Sequence, residues 1–364
     1  MRITPLLLAL GCSAQSATLP PAIAPGTIAG VGAMSVARAA HTATLLNDGR
    51  VLIVGGLGGG VSAELFDPTT RTFSRTGDLQ VARASHTATL LPDGRVLIAG
   101  GYNCQFLGST EIFDPAQGTF TLGPSMLQPR IDHLAVTLAD GRTLMIGGQG
   151  GESLFLASAE VFDPVASKFT LTGSMSVPRA SHVAALLPDG NVVVAGGHSG
   201  RHEDIRLYAS AERYNPALGT FVPVGAMTHR RHKHSGVVLP SGPLLITGGA
   251  DERDDRGQYR DAELYDDARG SFRSAGEMLR SRYKHAGAMT VLSNGTVLIA
   301  GGAAEGEIYD PTSGSFALVP TSPGLAGSFS TVTLLKDGSV LITGGYGNGS
   351  GARTSAWMYV APSP

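Results

Sequence analysis

Three polar residue types recur at matching positions along this sequence and are its first candidates for chemistry. An arginine is followed three residues later by a histidine, and a glutamate lies further along the same stretch. The planar guanidinium fork of arginine suits a carboxylate, so these arginines could hold either the glutamates or a ligand. The arginines are Arg38, Arg83, Arg130, Arg179, Arg231 and Arg282; the histidines are His41, His86, His133, His182, His234 and His285; the glutamates are Glu64, Glu111, Glu160, Glu212, Glu263 and Glu307.

The three positions change together near the end of the sequence, where Gly327, Ser330 and Trp357 replace arginine, histidine and glutamate. Joint loss indicates that the three side chains contact one another, and a buried charge is stable only when it is paired and hydrogen-bonded. We therefore expect buried arginine–glutamate pairs, with the histidine bridging or capping each pair. Six equivalent histidines are not a differentiated acid–base set, so catalysis by them is not favoured.

A Gly-Gly pair that recurs seven times reveals the elements that must position these residues. The pairs begin at residues 55, 100, 147, 196, 248, 301 and 344, which gives spacings of 43 to 53 residues. Self-similarity at such a period indicates a repeat array or a propeller.

Each unit contains short apolar runs separated by turn residues, as expected for strands and hairpins. In the first unit these runs fall within residues 34–46, 51–56, 63–68 and 72–77. Asp48-Gly49 lies between the first two runs and suits a tight hairpin, which needs positive φ. Four strands in each of seven units predict an all-β, seven-bladed β-propeller with four-stranded blades.

The repeat resembles the kelch motif, in which Gly-Gly follows the second strand and aromatic residues occupy the third and fourth strands. The resemblance covers residues 27–360. Kelch propellers that act as substrate adaptors use arginine near this position to hold carboxylates. The resemblance therefore leaves open a second interpretation, in which arginine and histidine form a ring at one mouth of the channel and bind an acidic ligand or peptide. The third-strand aromatics are Phe66, Phe113, Phe162, Tyr214, Tyr265, Tyr309 and Tyr359, and the fourth-strand aromatics are Phe73, Phe120, Phe169, Phe221, Phe272 and Phe316.

The seventh unit ends after its third strand, at Val360, and its missing fourth strand is found at the front of the sequence. Residues 27–32 align with residues 72–77. We expect this N-terminal segment to complete the last blade and to close the ring without a free sheet edge.

The composition agrees with many tight turns and excludes other classes of protein. Glycine accounts for 50 of 364 residues and proline for 21, while charged residues make up 15%. So much glycine disfavours a helical bundle, and a hydrophobic content of 42% disfavours a disordered chain. The net charge of −2 shows no basic excess, so nucleic acid is not favoured as a partner.

The first twelve residues are typical of a signal peptide whose end resembles a bacterial lipobox. Arg2 precedes an apolar run that ends at Cys12, which is too short to span a bilayer. We expect Cys12 to be lipidated, with ordinary secretion or no processing as alternatives. Residues 13–26 read as a flexible tether and residues 361–364 as a tail. The predicted location is extracytoplasmic, either anchored in a bacterial envelope or secreted.

The connections between the second and third strands vary in length and are therefore the predicted binding surface. The two longest, residues 198–211 and 250–262, are also the most charged. We expect His198, His202, Asp251 and Arg253 to take part in binding. His198 and His202, together with Glu203 and Asp204, have enough donor atoms for a metal, but a solvated loop is favoured and no metal is expected.

The sequence thus favours a monomeric binding scaffold for a protein or carbohydrate ligand, without a cofactor. One alternative is a carbohydrate-processing enzyme similar to galactose oxidase, whose copper domain is a seven-bladed propeller with related repeats. That resemblance implies tyrosine and histidine ligands, a cysteine crosslinked to a tyrosine and a histidine from a further C-terminal domain. Tyr102 and Cys104 share a loop, but the sequence ends at Pro364, so we expect that site to be incomplete. The other alternative is a structural envelope protein.

Overall fold

The structure is a computed structural model that describes residues 25–321, 325, 327–347 and 351–362. The predicted signal peptide and lipidated Cys12, most of the predicted tether and the last two residues lie outside the described residues. None of the helices in the described part is long and apolar enough to cross a membrane.

In the described residues, thirty strands make up almost all of the regular structure, together with two short 3₁₀ helices at His202–Asp204 and Asp254–Arg256. The first strand, β1 (Thr27–Arg38), belongs to blade 7. Blade 1 contains β2 (Thr42–Leu45), β3 (Val51–Val54), β4 (Ala63–Asp67) and β5 (Thr72–Arg75), and blade 2 contains β6 (Thr87–Leu90), β7 (Val96–Ala99), β8 (Thr110–Asp114) and β9 (Thr119–Leu122). Blade 3 contains β10 (Leu134–Thr137), β11 (Thr143–Ile146), β12 (Ala159–Asp163) and β13 (Lys168–Leu171). Blade 4 contains β14 (Val183–Leu186), β15 (Val192–Ala195), β18 (Ala211–Asn215) and β19 (Thr220–Val224), with the small ribbon β16 (His198–Ser199) and β17 (Arg206–Leu207) inserted in it. The remaining strands are β20 (Ser235–Val238), β21 (Leu244–Thr247), β22 (Asp261–Asp266) and β23 (Ser271–Glu277) in blade 5, β24 (Met289–Val291), β25 (Val297–Ile299), β26 (Gly306–Asp310) and β27 (Ser315–Val319) in blade 6, and β28 (Thr331–Leu334), β29 (Val340–Thr343) and β30 (Arg353–Val360) in blade 7.

The prediction of an all-β, seven-bladed propeller is confirmed. Each blade is a four-stranded antiparallel sheet whose strands, called a to d from the first to the last of each repeat, are neighbours in that order. Blade 7 takes its strand d from the N-terminal end, because β1 pairs with β30.

The closing strand extends beyond the predicted residues 27–32 and reaches Arg38. Its register places Ile28 opposite Tyr359 and is interrupted by irregularities after Gly30 and Ala33. The amide of Ile28 also donates to the carbonyl of Pro320 at the end of blade 6, so this segment joins both neighbours of the seam.

The core consists of seven apolar layers, each between two neighbouring blades. Strand b is buried on both faces in every blade, and its alternating side chains point to opposite neighbours. In blade 1, Val51 and Ile53 pack against blade 7, while Leu52 and Val54 pack against blade 2. The aromatic residues of strands c and d pack as tilted pairs within six of the blades, as in Phe66 with Phe73 at 4.9 Å.

Glycine is required after strand b because the next blade lies against the backbone there. Gly55 and Gly56 have φ of 59° and 91°. A β-carbon on Gly55 would lie 2.5 Å from the carbonyl oxygen of Arg83, and the amide of Gly56 donates to that same oxygen. The Gly-Gly pair is therefore a contact between blades as well as a turn.

Candidate functional site

Each of the six arginines lies inside its own blade, paired with the glutamate of strand c. In blade 3, Arg130 donates to the Glu160 carboxylate at 2.9 Å and to the carbonyls of Gly147 and Ser158 at 2.8 and 2.9 Å. Both side chains of this pair are fully buried. The other blades repeat it as Arg38–Glu64, Arg83–Glu111, Arg179–Glu212, Arg231–Glu263 and Arg282–Glu307.

These pairs hold the segment that leads into strand a. The Glu160 carboxylate also accepts the backbone amides of Leu127 and Gln128 at 2.7 and 3.0 Å. The pairs therefore match the structural interpretation of the repeat. An accessible arginine ring that binds an acidic ligand does not match this placement, because the exposed fraction of each arginine is at most 1%.

The histidines do not bridge or cap the arginine–glutamate pairs, which corrects that part of the expectation. Each imidazole instead points to the preceding blade and packs on the first glycine of its Gly-Gly pair. The Nε2 atom of His86 lies 3.0 Å from the Thr42 hydroxyl, and that of His133 lies 3.1 Å from the Thr87 hydroxyl. The imidazoles are thus contacts between blades.

A closed ring of backbone hydrogen bonds surrounds the central channel. It is formed by the residues that lead into strand a of each blade. In each blade, the residue just before the histidine position donates its amide to the carbonyl of the equivalent residue in the preceding blade, at 2.7 to 3.3 Å. All seven residues have left-handed φ of 50° to 56°. We call them the axial ring: Ala40, Ser85, Asp132, Ser181, Lys233, Lys284 and Phe329.

The connections between strands b and c surround the axial ring, so we call this end of the channel the upper face. The residue that follows Gly-Gly forms a bridge to the residue before the axial position, as in Ala84 with Tyr102 and His232 with Ala250. A cavity of about 140 Å³ lies at the axis of this face. Its lining includes Asp132, Lys233 and Phe329.

Two axial lysines lie within a group of aromatic rings on the side of blades 5 to 7. The Lys284 ammonium lies 4.7 Å from the ring centre of Tyr283, 5.8 Å from that of Phe329 and 5.6 Å from that of Tyr346. The Lys233 ammonium lies 5.3 Å from the same Tyr283 ring. Such distances allow cation–π attraction. Burial lowers the pKa of Lys284, but the Tyr283 and Tyr346 phenols outweigh it, so the pKa is raised and the side chain carries its charge.

Asp254, from the long connection of blade 5, reaches the axis and holds Lys233. Its carboxylate lies 3.0 Å from the Lys233 ammonium and 2.9 Å from Nε2 of His232. Burial and, next, Lys233 lower the pKa of His232 to about 4 against the opposing effect of Asp254, so the imidazole is neutral. Burial raises the pKa of Asp132, against the opposing effects of Ser85, Lys233 and Arg201.

Of the four loop residues expected to take part in binding, only His198 lies near this group. Its ring packs edge-on against Phe155 and His232, at 5.5 and 5.0 Å. His202 is exposed and lines a separate polar groove with Glu152 and Arg201. Asp251 binds the backbone and side chain of Arg253 in its own loop, and Arg253 points outward.

Sequence reasoning missed the axial lysines, Asp132 and Asp254. The signal was present between the arginine and histidine of the first six units, and between Gly327 and Ser330 in the seventh, where the axial position changes from alanine and serine to aspartate, lysine and phenylalanine. A variable position between two fixed ones indicates a side chain that the scaffold does not use. Asp254 could not be placed at the axis from the sequence, because the shape of its loop decides where it points.

Among the described residues, one group of His, Cys, Asp and Glu side chains is close enough to hold a metal: His229, Asp261 and Glu263. Its carboxylates are already engaged, since both contact Arg231 and Glu263 also accepts the amide of Thr228. This group therefore belongs to the buried Arg231–Glu263 pair of blade 5.

Residues 83–127 match the sequence profile of the kelch motif. These residues start at the arginine of the second unit and run through its four strands. The chain is a propeller that carries the kelch motif. No curated protein matches it in sequence.

The kelch propeller also resembles solved structures. One is a fungal alcohol oxidase of the AA5 family in complex with copper, with a TM-score of 0.71 and 17% identity over 93% of this chain and 76% of that chain. At this identity the likeness shows the fold alone, which agrees with the galactose oxidase resemblance seen in the repeats.

The described residues do not assemble the copper donors that this resemblance implies. The Tyr102 ring packs against Phe106 at 5.4 Å, and Cys104 is exposed with a free thiol. The half-buried His198 and the buried His232 lie together, but Nε2 of His232 contacts Asp254. This donor set does not fit a copper centre built from tyrosine and histidine.

Proposed function

We propose that this kelch propeller is a binding scaffold that receives its ligand at the axial cavity of the upper face. The observation that carries the proposal is the contrast between its two faces. On the upper face, Lys233 and Phe329 line a cavity at the axis, and Lys284 lies among the rings of Tyr283, Phe329 and Tyr346. A concave site with aromatic walls and a few placed polar groups is the usual form of a ligand site.

The opposite face offers no comparable group among the described residues. In blades 1 to 3, the turns between strands a and b repeat one structure, in which the carboxylate of the turn aspartate binds the arginine two residues later. Examples are Asp48 with Arg50 and Asp93 with Arg95, at 2.6 and 2.7 Å. Charges that are paired within a turn and exposed to water give little attraction for a ligand.

An exchange of connections tests the proposal. Blade 6 has a short connection of residues 303–305, which can replace residues 250–260 of blade 5 and remove Asp254 from the axis. We first find the strongest ligand of the wild-type chain on arrays of glycans and peptides, and then measure its affinity by calorimetry. The exchange should weaken binding at least tenfold, whereas the double variant Asp93→Asn, Arg95→Gln on the opposite face should bind normally. Equal affinity in the loop-exchanged chain would contradict the proposal.

The alternative of a copper oxidase has only the likeness in fold to the fungal alcohol oxidase in its favour, because the described residues do not supply the donor set. Metal analysis of the purified chain tests it. One tightly bound copper per chain would support this function over binding alone.

We also propose that the propeller works outside the cytoplasm, on a lipid anchor at Cys12. Labelling of cells with a radioactive fatty acid should mark the wild-type chain and leave Cys12→Ser unlabelled. Labelling of both chains, or of neither, would contradict the anchor.

A further inference from the structure

The lining of the axial cavity contains one carboxyl group, that of Asp132, and one ammonium group, that of Lys233. Its other polar side chains are the hydroxyls of Ser85 and Ser181 and four of the repeat imidazoles. Burial lowers the pKa of each of these imidazoles well below its usual value, so they are uncharged at neutral pH. The charge that a ligand meets in this cavity is therefore set by Asp132 and Lys233.

Lys233 already has a counter-charge, whereas Asp132 has none in contact with it. The Lys233 ammonium lies 3.0 Å from the carboxylate of Asp254, a residue outside the cavity lining. Asp132 accepts a hydrogen bond from the side chain of Ser85, but it forms no ion pair with any cation in the part of the chain that the structure describes. The cavity thus contains a neutralised ammonium and an unpaired carboxyl group.

Two cations influence Asp132 without contacting it. Burial raises the pKa of this carboxyl group, while Lys233 and Arg201 act in the opposite direction. The Arg201 guanidinium is itself held by Oε1 of Gln149 at 2.8 Å. A cation in direct contact would favour the ionised carboxylate far more strongly than these distant charges do, because the attraction grows as the separation falls.

The residues around Asp132 complete a site for an ammonium group. Ser85 and Ser181 are its two neighbours in the axial ring, and both line the cavity. Together with the carboxylate, their hydroxyl oxygens offer acceptors for the three N–H groups of an ammonium. Ala40 and Phe329 add apolar surface to the same cavity, and the face of an aromatic ring also attracts a cation.

We infer that the axial cavity binds a small primary amine, whose ammonium group pairs with Asp132 and whose apolar part packs against Ala40 and Phe329. This inference rests on the proposed function and names its ligand class. The cavity of about 140 Å³ is close in volume to a cavity of about 150 Å³ that admits benzene. The apolar part is therefore no larger than a phenyl ring or a butyl chain, as in a free amine or in the lysine side chain of a partner protein.

Amines and their neutral counterparts test the ligand class by calorimetry on the purified chain at low salt. Benzylamine is matched with benzyl alcohol, and butylamine with butanol. The wild-type chain should bind at least one amine and prefer it to its alcohol at least tenfold. Acetyl-lysine methylamide, which keeps a free side-chain amine, separates the two sources: its binding supports a protein ligand, and its exclusion while a small amine binds supports a free amine.

Asp132→Asn tests the carboxylate. It should lower the affinity for the amine at least tenfold, because asparagine keeps the size of the side chain and removes its charge. Asparagine also tolerates the φ of 50° at this position, so the axial ring is preserved. Asp140→Asn is the matched control in the same blade, since Asp140 pairs with Arg142 at 2.7 Å in a turn of the opposite face. Its affinity for the amine should equal that of the wild type.

Lys233 and Asp254 give two further variants with opposite expected effects. Lys233→Met removes the like charge from the lining and should raise the affinity for the amine severalfold. Asp254→Asn leaves the Lys233 ammonium without its counter-charge and should lower the affinity severalfold; asparagine tolerates the φ of 55° at residue 254. Denaturation midpoints of all variants show whether each chain is folded.

The inference is overturned if amines and alcohols bind equally or not at all, if folded Asp132→Asn binds the amine like the wild type, or if Lys233→Met weakens and Asp254→Asn strengthens amine binding. A ligand without an amine that is lost on the loop exchange but unaffected by Asp132→Asn would leave the proposed function standing and remove only the amine. Binding that survives the loop exchange unchanged would instead contradict the proposed function.

Discussion

The partners of the repeat histidines show how one side chain on strand a connects two blades. Where strand a begins with threonine, its hydroxyl meets the imidazole of the following blade, as Thr87 meets His133. Blades 3 and 4 begin strand a with Leu134 and Val183, and the imidazoles that face them, His182 and His234, have no hydrogen-bond partner at either ring nitrogen. An unpartnered buried polar group costs about 1–3 kcal/mol.

Val183→Thr should supply the missing partner to His234. The two side chains have nearly the same shape and both favour a strand, so the main change is a hydroxyl placed like that of Thr87. We expect the gained hydrogen bond, worth about 1 kcal/mol, to offset the burial of the hydroxyl. Urea denaturation measures the stability. Both valines pack in apolar layers, and Val194→Thr is the control because Val183, unlike Val194, occupies the position at which Thr87 meets an imidazole in blade 2. The control should lose about 1–3 kcal/mol relative to Val183→Thr; equal losses in the two variants would contradict the prediction.

The axial ring is the element that fixes the positions of the ligand-binding candidates. Seven residues adopt left-handed φ because each amide must reach the carbonyl of the preceding blade. Such a conformation costs about 1–2 kcal/mol for a residue other than glycine, and it persists because neighbouring contacts impose it. The ring is therefore a rigid base on which the axial side chain can change without changing the backbone.

Ala40→Gly should stabilise the protein by up to about 1 kcal/mol, because glycine adopts the φ of 50° at this position without steric cost. The greater conformational freedom of glycine in the unfolded chain opposes this gain and limits it. Ala29→Gly is the matched control in the exposed part of β1, where glycine should destabilise by about 0.5–1 kcal/mol. The measurement is the difference between the two denaturation midpoints. If Ala40→Gly destabilised the protein as much as Ala29→Gly does, the left-handed strain would have no energetic effect.

The elements themselves were predictable from the sequence because their causes are local and repeated. Gly-Gly, the turn aspartate and the aromatic residues each act within one blade or against its neighbour, so seven copies show the same pattern. The binding group does not repeat. Asp132 and Asp254 come from different parts of the chain, and only the path of the 250–260 loop brings Asp254 to the axis.

At the scale of the whole molecule, the closed ring buries one repeat histidine at each of six contacts between neighbouring blades. Seven of the ten histidines are buried, namely the six repeat histidines and His232, and His198 is half-buried; burial lowers the pKa of all eight. Burial first, and neighbouring basic groups second, together lower the pKa of His41, His133, His198 and His285 to about 3. Their unfolded pKa is near 6.5. Between these values the unfolded chain binds more protons than the folded chain, so stability must fall as the pH falls from about 6.5 toward 3.

Acid should therefore unfold this propeller cooperatively. Above about pH 5.5, most of the protons that are taken up on unfolding should bind to the histidines that are buried in the folded chain. We expect the urea midpoint to be level above pH 7.5 and to fall from pH 7 to 5.5, a range in which exposed carboxylates stay ionised in both states. The slope of stability against pH gives the number of protons taken up on unfolding. His182→Gln removes one buried imidazole and should lower that number at pH 5.5 by up to one proton, whatever its effect on absolute stability. His202→Gln, at an exposed histidine, is the control for the substitution itself. A midpoint that stays level down to pH 5.5 would mean that the imidazoles become protonated in the folded ring, and the blade contacts would then have to accommodate their charge.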